Sequence, residues 1–395
     1  REFSTDDADT TVEVFGSDVT VVCGGGSGSG VGGGPHPLAS SKVCLNNIVD
    51  YCWEERFHLG QLLAVHMEAK FIAYAIKVGK TNSVIRILNR DTGERGLIKS
   101  VEGMVEDLAF ARLPAPHIIL ALVDHHESKE VPVGVPHRVF WCSYIPEEDG
   151  GQDAYYDEIS RLLAVTRNNK IEMWNVGIVS ENHGQGPFVA GDVEEGYLEI
   201  EAHSNLIVDA AFSPDGTAIA TASLDGDCKF YQGGVGSDPR CLHQWQPHGG
   251  KPLSALFFLD DHRNYNPDIQ FWKFAVTGAD NNSEIKLWSC ETWKCLQTIR
   301  FTSRSPPPPP TKLKASMDLS AGYILMTDLY HRLLYVLELK KENNETFPFV
   351  RSLTEFKLPC PIISFGVVDA GPRTFKTNTQ PFMLEDLCTS KYAHY

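Results

Sequence analysis

The chain has 395 residues, of which 42% are hydrophobic and 22% are charged. This composition supports a sizeable buried core and excludes a chain that is disordered overall. The 51 acidic residues outnumber the 35 basic ones and give a formal charge of -16, which disfavours direct binding of nucleic acid or of an anionic membrane. No apolar run approaches the roughly 18 residues of a membrane-spanning helix, so we expect no membrane association.

The first 44 residues hold two short β-like runs, Val12–Phe15 and Val19–Val22, followed by a glycine-rich loop. Within that loop, Gly28–Gly33 matches the G-x-G-x-x-G pattern of dinucleotide-binding folds. Such a site needs a helix that begins directly after the glycines, because the helix amides bind the phosphate, and Pro35-His36-Pro37 stands there instead. We therefore expect a flexible loop and no cofactor.

Asp124-His125-His126 resembles the motif of the metal-dependent phosphoesterases that are named after these three residue types. Those enzymes also need aspartate pairs at the ends of other strands in a parallel sheet, and no βαβ pattern surrounds the motif here. An exposed loop is the simpler interpretation. The chain also lacks a G-x-S-x-G elbow and an H-E-x-x-H helix, so we expect no enzyme activity, no catalytic residues and no bound metal.

Short β-branched or alternating runs, bounded by Gly, Asn, Asp and Pro, recur along the chain and predict an all-β protein. The clearest unit begins at His203, passes through a Ser-Pro-Asp-Gly turn and an Asp-Gly hairpin, and ends at Tyr231. Two further units end at Trp174 and Trp288, each 57 residues from Tyr231. A repeated unit with several strands is typical of a β-propeller.

The repeat resembles the WD-repeat β-propeller, whose units carry a Gly-His, an Asp in a tight turn and a terminal Trp-Asp. Buried polar groups need hydrogen-bond partners, so these residues are expected to form a chain that fixes each turn. We interpret them as structural rather than chemical. The predicted WD network consists of His203, Ser223, Asp225, Tyr231, Asp280, Trp288 and Trp174.

Two other kinds of segment could serve partners. Arg304, Pro307 and Pro310 fit the spacing that SH3 domains recognise on a polyproline II helix, although a stiff connection between blades is the simpler interpretation. The acidic segments 147–158 and 191–201 contain no basic residue. We expect solvated loops there, which could also select a basic partner segment.

Several longer segments closely resemble the enhancer of mRNA-decapping protein 4 family, also called Ge-1 or Hedls, and they occur in the family's order. The segments are Tyr51–Glu54, Phe71–Ile76, Asp107–Ala111, Ile145–Glu148, Pro239–His248, Phe271–Phe274, Thr277–Asp280, Trp293–Phe301 and Ile363–Gly366. The resemblance implies a WD-repeat propeller of seven-bladed type over residues 45–367. Residues 1–44 would then supply closing strands and the glycine-rich loop, and residues 368–395 an atypical tail.

The sequence departs from the family at two places. After Val123 only a short polar stretch precedes the next strand, so blade two is expected to be incomplete. The last blade begins at Pro361 but lacks its later strands. Ring closure would then fall to the N-terminal strands.

The resemblance also implies a function. Family members are non-catalytic scaffolds of mRNA decapping in cytoplasmic processing bodies, and they couple the decapping activator subunit to the decapping hydrolase. Self-association belongs to C-terminal regions that lie outside this chain. A WD-repeat scaffold in ubiquitin ligation or trafficking is the alternative, and the metal-dependent phosphoesterase is the less favoured one. The residues that bind partners are unknown from sequence.

Overall fold

The computed structural model describes most of the chain. The described residues are 2–4, 11–23, 43–101, 103–114, 118–125, 137–143, 145, 161–184, 186–187, 189–235, 239–266, 268–303, 312–340 and 348–369. Four sequence features therefore lie outside the described residues: the glycine pattern 28–33, the SH3-like segment 304–310, the acidic segment 147–158 and the tail beyond residue 369.

The strands of the described residues form six sheets, numbered I to VI in chain order. Three strands precede them: β1 (Glu2–Ser4), β2 (Thr11–Glu13) and β3 (Asp18–Cys23). Sheet I contains β4 (Leu63–Val65), β5 (Phe71–Val78), β6 (Asn82–Asn89) and β7 (Arg95–Val101). Sheet II contains β8 (Met104–Phe110) and β9 (Leu120–His125). Sheet III contains β10 (Arg138–Trp141), β11 (Leu162–Arg167), β12 (Lys170–Asn175) and β13 (Tyr197–Glu201).

The remaining sheets follow the same plan of consecutive antiparallel strands. Sheet IV contains β14 (Ile207–Phe212), β15 (Ala218–Ser223), β16 (Cys228–Gln232) and β17 (Cys241–Trp245). Sheet V contains β18 (Leu253–Phe258), β19 (Phe274–Ala279), β20 (Glu284–Ser289) and β21 (Cys295–Ser303). Sheet VI contains β22 (Leu313–Met317), β23 (Tyr323–Asp328), β24 (Leu333–Lys340) and β25 (Phe349–Lys357).

Side-chain alternation and turn chemistry explain why these segments form strands. In β24 every second side chain is buried, as the two-residue period of a strand requires. In β15 all six residues are buried, because small side chains lie between covered faces. The Ser-Pro-Asp-Gly turn is closed by Ser213, whose hydroxyl donates to Asp215 Oδ1 at 2.6 Å, and by Gly216 at φ +68.

The sheets are arranged as the blades of a propeller, which confirms the predicted WD-type fold. The first strands of sheets I to V contact one another in sequence, so β4, β8, β10, β14 and β18 line the centre. Five sheets have at least four strands, whereas sheet II has two among the described residues. Pro361–Asp369 forms no strand. The seven-blade count is therefore not confirmed. Sheet II and the segment after Pro361 are the two places where the sequence predicts an incomplete blade.

The N-terminal strands pair with the outer strands of sheets V and VI and not with the segment after Pro361. Strand β3 pairs in parallel with β21, and β1 pairs in parallel with β3. Strand β2 pairs antiparallel with β25. Val19 and Val21 are 0% and 1% exposed in the core shared by sheets V and VI, so burial of alternate valines fixes this position. The expectation that these strands close the ring is thus corrected: they cover the outer edges of sheets V and VI.

One helix, α1 (Val176–His183), joins β12 to β13 within the described residues, and its N-cap Asn175 accepts a hydrogen bond from Ile178 N at 3.1 Å. A short 3-10 turn, Ala190–Asp192, follows. The acidic segment 191–201 ends in strand β13 rather than remaining a loop throughout. Within the described part of the chain, no helix has the length and apolarity needed to cross a membrane.

Candidate functional site

A chain of buried hydrogen bonds crosses sheet V from one strand to the next. Trp288 Nε1 donates to Thr277 Oγ1 at 2.9 Å, and the same oxygen lies 2.9 Å from Nε2 of His248. Nδ1 of His248 lies 2.7 Å from Oε1 of Glu284. In this chain a neutral His248 donates from Nδ1 to the Glu284 carboxylate and accepts at Nε2 from the Thr277 hydroxyl. Each buried polar group then has a hydrogen-bond partner.

The electrostatics of sheet V agree with that assignment. Burial lowers the pKa of His248, although the hydrogen bond to Glu284 opposes this shift, so the ring is neutral. Burial raises the pKa of Glu284, but hydrogen bonds from His248 and Arg300 outweigh it and lower the value to about 2. Arg300 Nε lies 2.8 Å from Glu284 Oε2. The network thus holds one ionised carboxylate whose charge is shared with Arg300.

Sheet IV carries a related network. His203 Nε2 lies 2.8 Å from Thr221 Oγ1, and Nδ1 lies 3.1 Å from Asp225 Oδ2. Ser223 lies beside this chain, because its hydroxyl accepts from Asp225 N at 3.2 Å. Tyr231 donates its hydroxyl to the carbonyl of Ala202 at 3.0 Å and not to the histidine chain. The sequence therefore identified His203 and Asp225 as neighbours but missed Thr221.

Two other predicted network residues lie outside these chains. Asp280 stands in a left-handed conformation at φ 51, with its half-exposed carboxylate 3.2 Å from Lys251 Nζ. Glu284 occupies the acidic position of the sheet V network instead. Trp174 donates Nε1 to Glu172 at 3.3 Å, and its ring lies 4.4 Å from that of Tyr197.

The network predicted from sequence also lacks Thr277, His248 and Glu284. The signal that could have found Thr277 is its position 56 residues after Thr221, in the equivalent strand of the next repeat. Threonine is frequent in any strand, so the sequence alone does not mark Thr277 as a network residue. Only the folded structure, which brings His248 of the preceding loop against it, shows this role.

A second polar network joins the inner strands of neighbouring sheets. Arg138 Nε lies 3.1 Å from Asp107 Oδ2, and its Nη1 lies 2.9 Å from Asp209 Oδ1. The carboxylates also accept backbone hydrogen bonds, from Gln61 N to Asp107 at 2.6 Å and from Leu256 N to Asp209 at 2.8 Å. Burial alone would lower the pKa of Arg138, but Asp107 and Asp209 outweigh this effect and raise it. This ion triad links sheets II, III and IV, and the two backbone contacts extend it to sheet V and to the segment that leads into sheet I.

Lys314 provides the matching link between sheet VI and the start of sheet I. Its ammonium group donates to the carbonyl oxygens of His58 at 3.0 Å, of Ile363 at 3.1 Å and of Gly60. Ser364 Oγ in turn accepts from Leu62 N at 2.9 Å. The C-terminal segment thus closes the ring against sheet I through buried polar contacts rather than through a paired strand.

The phosphoesterase motif receives no support from this geometry. Asp124 and His125 lie in β9, which pairs antiparallel with β8, and His126 lies outside the described residues. Among the residues that the structure describes, no three His, Cys, Asp or Glu side chains are grouped to hold a metal ion. Within the described residues, β9 pairs with the antiparallel β8 and not with the parallel strands that such an enzyme needs.

Comparison with solved structures agrees with the fold. The WD40 domain of coronin from Toxoplasma gondii superposes with a TM-score of 0.53 at 14% sequence identity. The superposition covers 79% of this chain and 74% of that domain. An identity this low shows the shared propeller fold alone.

Comparison of sequences is more specific. The family model of the WD40 region of Ge1, enhancer of mRNA-decapping protein, matches residues 39–131 and 119–344. Enhancer of mRNA-decapping protein 4 of Danio rerio is 38% identical over 84% of this chain, and that of Homo sapiens is 36% identical over 92%. The chain spans only 25% and 27% of the lengths of these relatives. The chain therefore belongs to the family of the Ge-1 WD40 region.

Proposed function

We propose that this chain is the protein-interaction propeller of a non-catalytic scaffold that promotes mRNA decapping. The observation that carries the proposal is the family match, which runs through the described blades and includes relatives named as enhancers of mRNA decapping. Because the chain covers about a quarter of those relatives, the proposal concerns the propeller's contribution alone. Its partners would be the decapping activator subunit and the decapping hydrolase, in cytoplasmic processing bodies.

The polar clusters support a scaffold rather than an enzyme. In sheet V, His248 and Glu284 already satisfy each other and the neighbouring Thr277. In the inner ring, Arg138 is engaged by two carboxylates. A general base must reach a substrate proton within hydrogen-bond distance, and these groups are engaged in interactions that hold the blades together.

The proposal is tested by direct capture of purified components. The 395-residue chain is immobilised, and binding of the recombinant decapping activator subunit and of the hydrolase is measured separately by biolayer interferometry. We expect at least one of them to bind, whereas the coronin WD40 domain, a control with the same fold, does not. If neither component binds this chain, and extract proteins from ubiquitin ligation or trafficking do, the pathway assignment is wrong.

A second measurement addresses catalysis. The chain is incubated with capped RNA and with a generic phosphodiester in the presence of Mg²⁺, Mn²⁺ or Zn²⁺. A scaffold releases no cap and hydrolyses no diester under any of these conditions. Hydrolysis that is lost in Asp124→Asn would instead establish the phosphoesterase alternative.

A further inference from the structure

A cavity of about 260 Å³ opens at the end of the ring where the inner strands finish. Its walls alternate between large and small side chains at equivalent positions of these strands. Phe140 and Phe257 stand at two of the positions, whereas Ala109, Ala211 and Ser316 stand at three others and leave the space open. The volume is below the roughly 300–1,000 Å³ of pockets for drug-sized ligands, so it fits one or two amino-acid side chains.

The charged groups in the wall differ in what they contact. Arg138 is neutralised by its two carboxylate partners, one of which, Asp209, is also in the wall. Asp318 accepts from Gly322 N at 2.9 Å and from Tyr323 N at 2.7 Å, so its own turn satisfies the carboxylate. These three groups are compensated within the protein.

Arg112 is different, because its guanidinium forms no hydrogen bond or ion pair with any described residue. It lies two residues beyond the end of β8 and lines the cavity. Burial lowers the pKa of Arg112, and no carboxylate of the described residues opposes that shift. An arginine keeps its proton in proteins even so. Within the described part of the chain, a half-buried cation without a counter-charge therefore lines an open cavity, which costs free energy until an anion enters.

We propose that this cavity is a binding site for one acidic side chain of a protein partner, with Arg112 as the group that binds the anion. The planar guanidinium suits a carboxylate or a phosphate, because either accepts two parallel N–H bonds. The rings of Phe140 and Phe257 offer an apolar wall to a neighbouring side chain of the same peptide. The inference rests on the proposed interaction role of the propeller, but not on the decapping pathway.

A peptide fits this site better than RNA does. A nucleic-acid strand is held by several cations in series along its phosphates, whereas the wall offers one uncompensated cation. The net charge of -16 also disfavours a polyanion. A single carboxylate or phosphate on an otherwise apolar peptide avoids that repulsion.

The test selects ligands without assuming a sequence. A phage-displayed library of random ten-residue peptides is panned against the 395-residue chain, and enriched peptides are synthesised with a fluorescent label for anisotropy titration. We expect an enriched Asp or Glu beside an apolar residue. Replacing that acid by phosphoserine or by its amide then shows whether a carboxylate or a phosphate is preferred, and the amide should bind at least tenfold more weakly.

Two variants and one control separate the site from the rest of the surface. Arg112→Gln removes the cation, and Ala211→Leu fills the cavity but keeps the cation; each should weaken peptide binding at least tenfold. Arg240→Gln removes an equal charge at an exposed position outside the cavity wall and should leave binding unchanged. Circular dichroism melts show whether each variant is folded, and Arg112→Lys should recover part of the affinity if the charge itself matters.

Several results would overturn the proposal. These are the absence of any enriched peptide, enrichment without an acidic position, and equal affinity of the acidic peptides for wild type and Arg112→Gln. Binding of a labelled ten-nucleotide uridine RNA that competes with the peptide would assign the cavity to RNA instead. No decapping component takes part in these titrations, so a failed decapping capture and a failed peptide selection are separate outcomes.

Discussion

Thr277→Val removes the central group of the sheet V network and tests whether that network stabilises the propeller. Valine has nearly the shape of threonine, so packing is kept while the hydroxyl is lost. The hydroxyl serves both Trp288 Nε1 and His248 Nε2, each at 2.9 Å, and Thr277 is 0% exposed. Both partners are left buried without a hydrogen bond.

The expected cost follows from those two orphaned groups. A buried polar group that loses its partner costs about 1–3 kcal/mol, so Thr277→Val, which orphans two such groups, should lower the free energy of unfolding by about 2–6 kcal/mol. Thr221→Val in sheet IV is the matched control. Thr221 serves His203 Nε2 at 2.8 Å, but the hydroxyl of Tyr231 bonds elsewhere. Thr221→Val should therefore cost about 1–3 kcal/mol, because it orphans one side-chain group instead of two.

Urea denaturation, followed by fluorescence and by circular dichroism, measures both variants. A double-mutant cycle with Trp288→Phe isolates the indole contribution, because the phenylalanine ring has no N–H to orphan. We expect the double variant Thr277→Val/Trp288→Phe to be more stable than the sum of the single changes predicts. Equal costs for Thr277→Val and Thr221→Val, together with strict additivity in the cycle, would refute the assignment of Thr277 as the shared partner.

Three further predictions concern pH, ring closure and backbone geometry. The folded pKa of Glu284 is about 2 against an ordinary 4.5, so its contribution to stability is complete above pH 4.5 and is lost as the pH falls towards 2. Urea titrations across this pH range should show a loss of unfolding free energy on the order of 3 kcal/mol in the wild type. Glu284→Gln should flatten this dependence. Burial, reinforced by Arg138, lowers the pKa of Lys314 to about 7 from 10.5. Stability should therefore rise with pH between about 7 and 10.5, because the unfolded chain binds the extra proton there, and this rise should vanish in Lys314→Met. Lys314→Met should also speed amide hydrogen exchange at residues 58–62, where the ammonium group contacts the carbonyl groups of His58 and Gly60. Unchanged exchange there would contradict the role of Lys314 in closing the ring. Gly226→Ala should lower the melting temperature more than Gly234→Ala: both glycines have positive φ, but an added Cβ at Gly226 would come 2.6 Å from the Gly250 backbone, whereas at Gly234 it meets nothing within 4 Å.

The repeat was readable from sequence because its signals are local. The turn at Ser213–Gly216 and the hairpin at Asp225–Gly226 are fixed by residues close together in the chain, and the alternating strands between them need no distant partner. The same logic predicted an incomplete blade after Val123, because few residues separate it from the next blade, and sheet II has two strands among the described residues.

The acidic position of sheet V could not be predicted in the same way. The predicted WD network included Asp280, and Asp280 follows β19 directly. Three consecutive residues, Asp280, Asn281 and Asn282, adopt left-handed conformations at φ 51, 56 and 62. This turn leaves Asp280 half-exposed, and the longer side chain of Glu284 reaches the histidine instead. The choice depends on a backbone path that the residue pattern does not specify.

The N-terminal strands show a second limit, because their partners are remote in the chain. Asp18 faces Thr298 and Thr11 faces Thr354 in the observed registers. An alternating valine run predicts a strand but not the edge on which it lies. Any exposed edge of the propeller could accept such a strand by backbone pairing alone. Burial of Val19 and Val21 in the core of sheets V and VI selects the edge that β3 occupies.

The inner polar contacts explain how a ring with a two-stranded sheet holds together. Among the described residues, sheet II has two strands and little outer surface to pack, but Asp107 in β8 bonds to Gln61 N on one side and to Arg138 on the other. Gly60 packs so closely on β8 that an added Cβ would lie 2.2 Å from the carbonyl oxygen of Glu106. Sheet II is thus held by its inner strand, which is also the strand that leads into Arg112. The cavity wall therefore depends on the inner strand of sheet II, which these contacts hold in place, and binding there does not require further outer strands in that sheet.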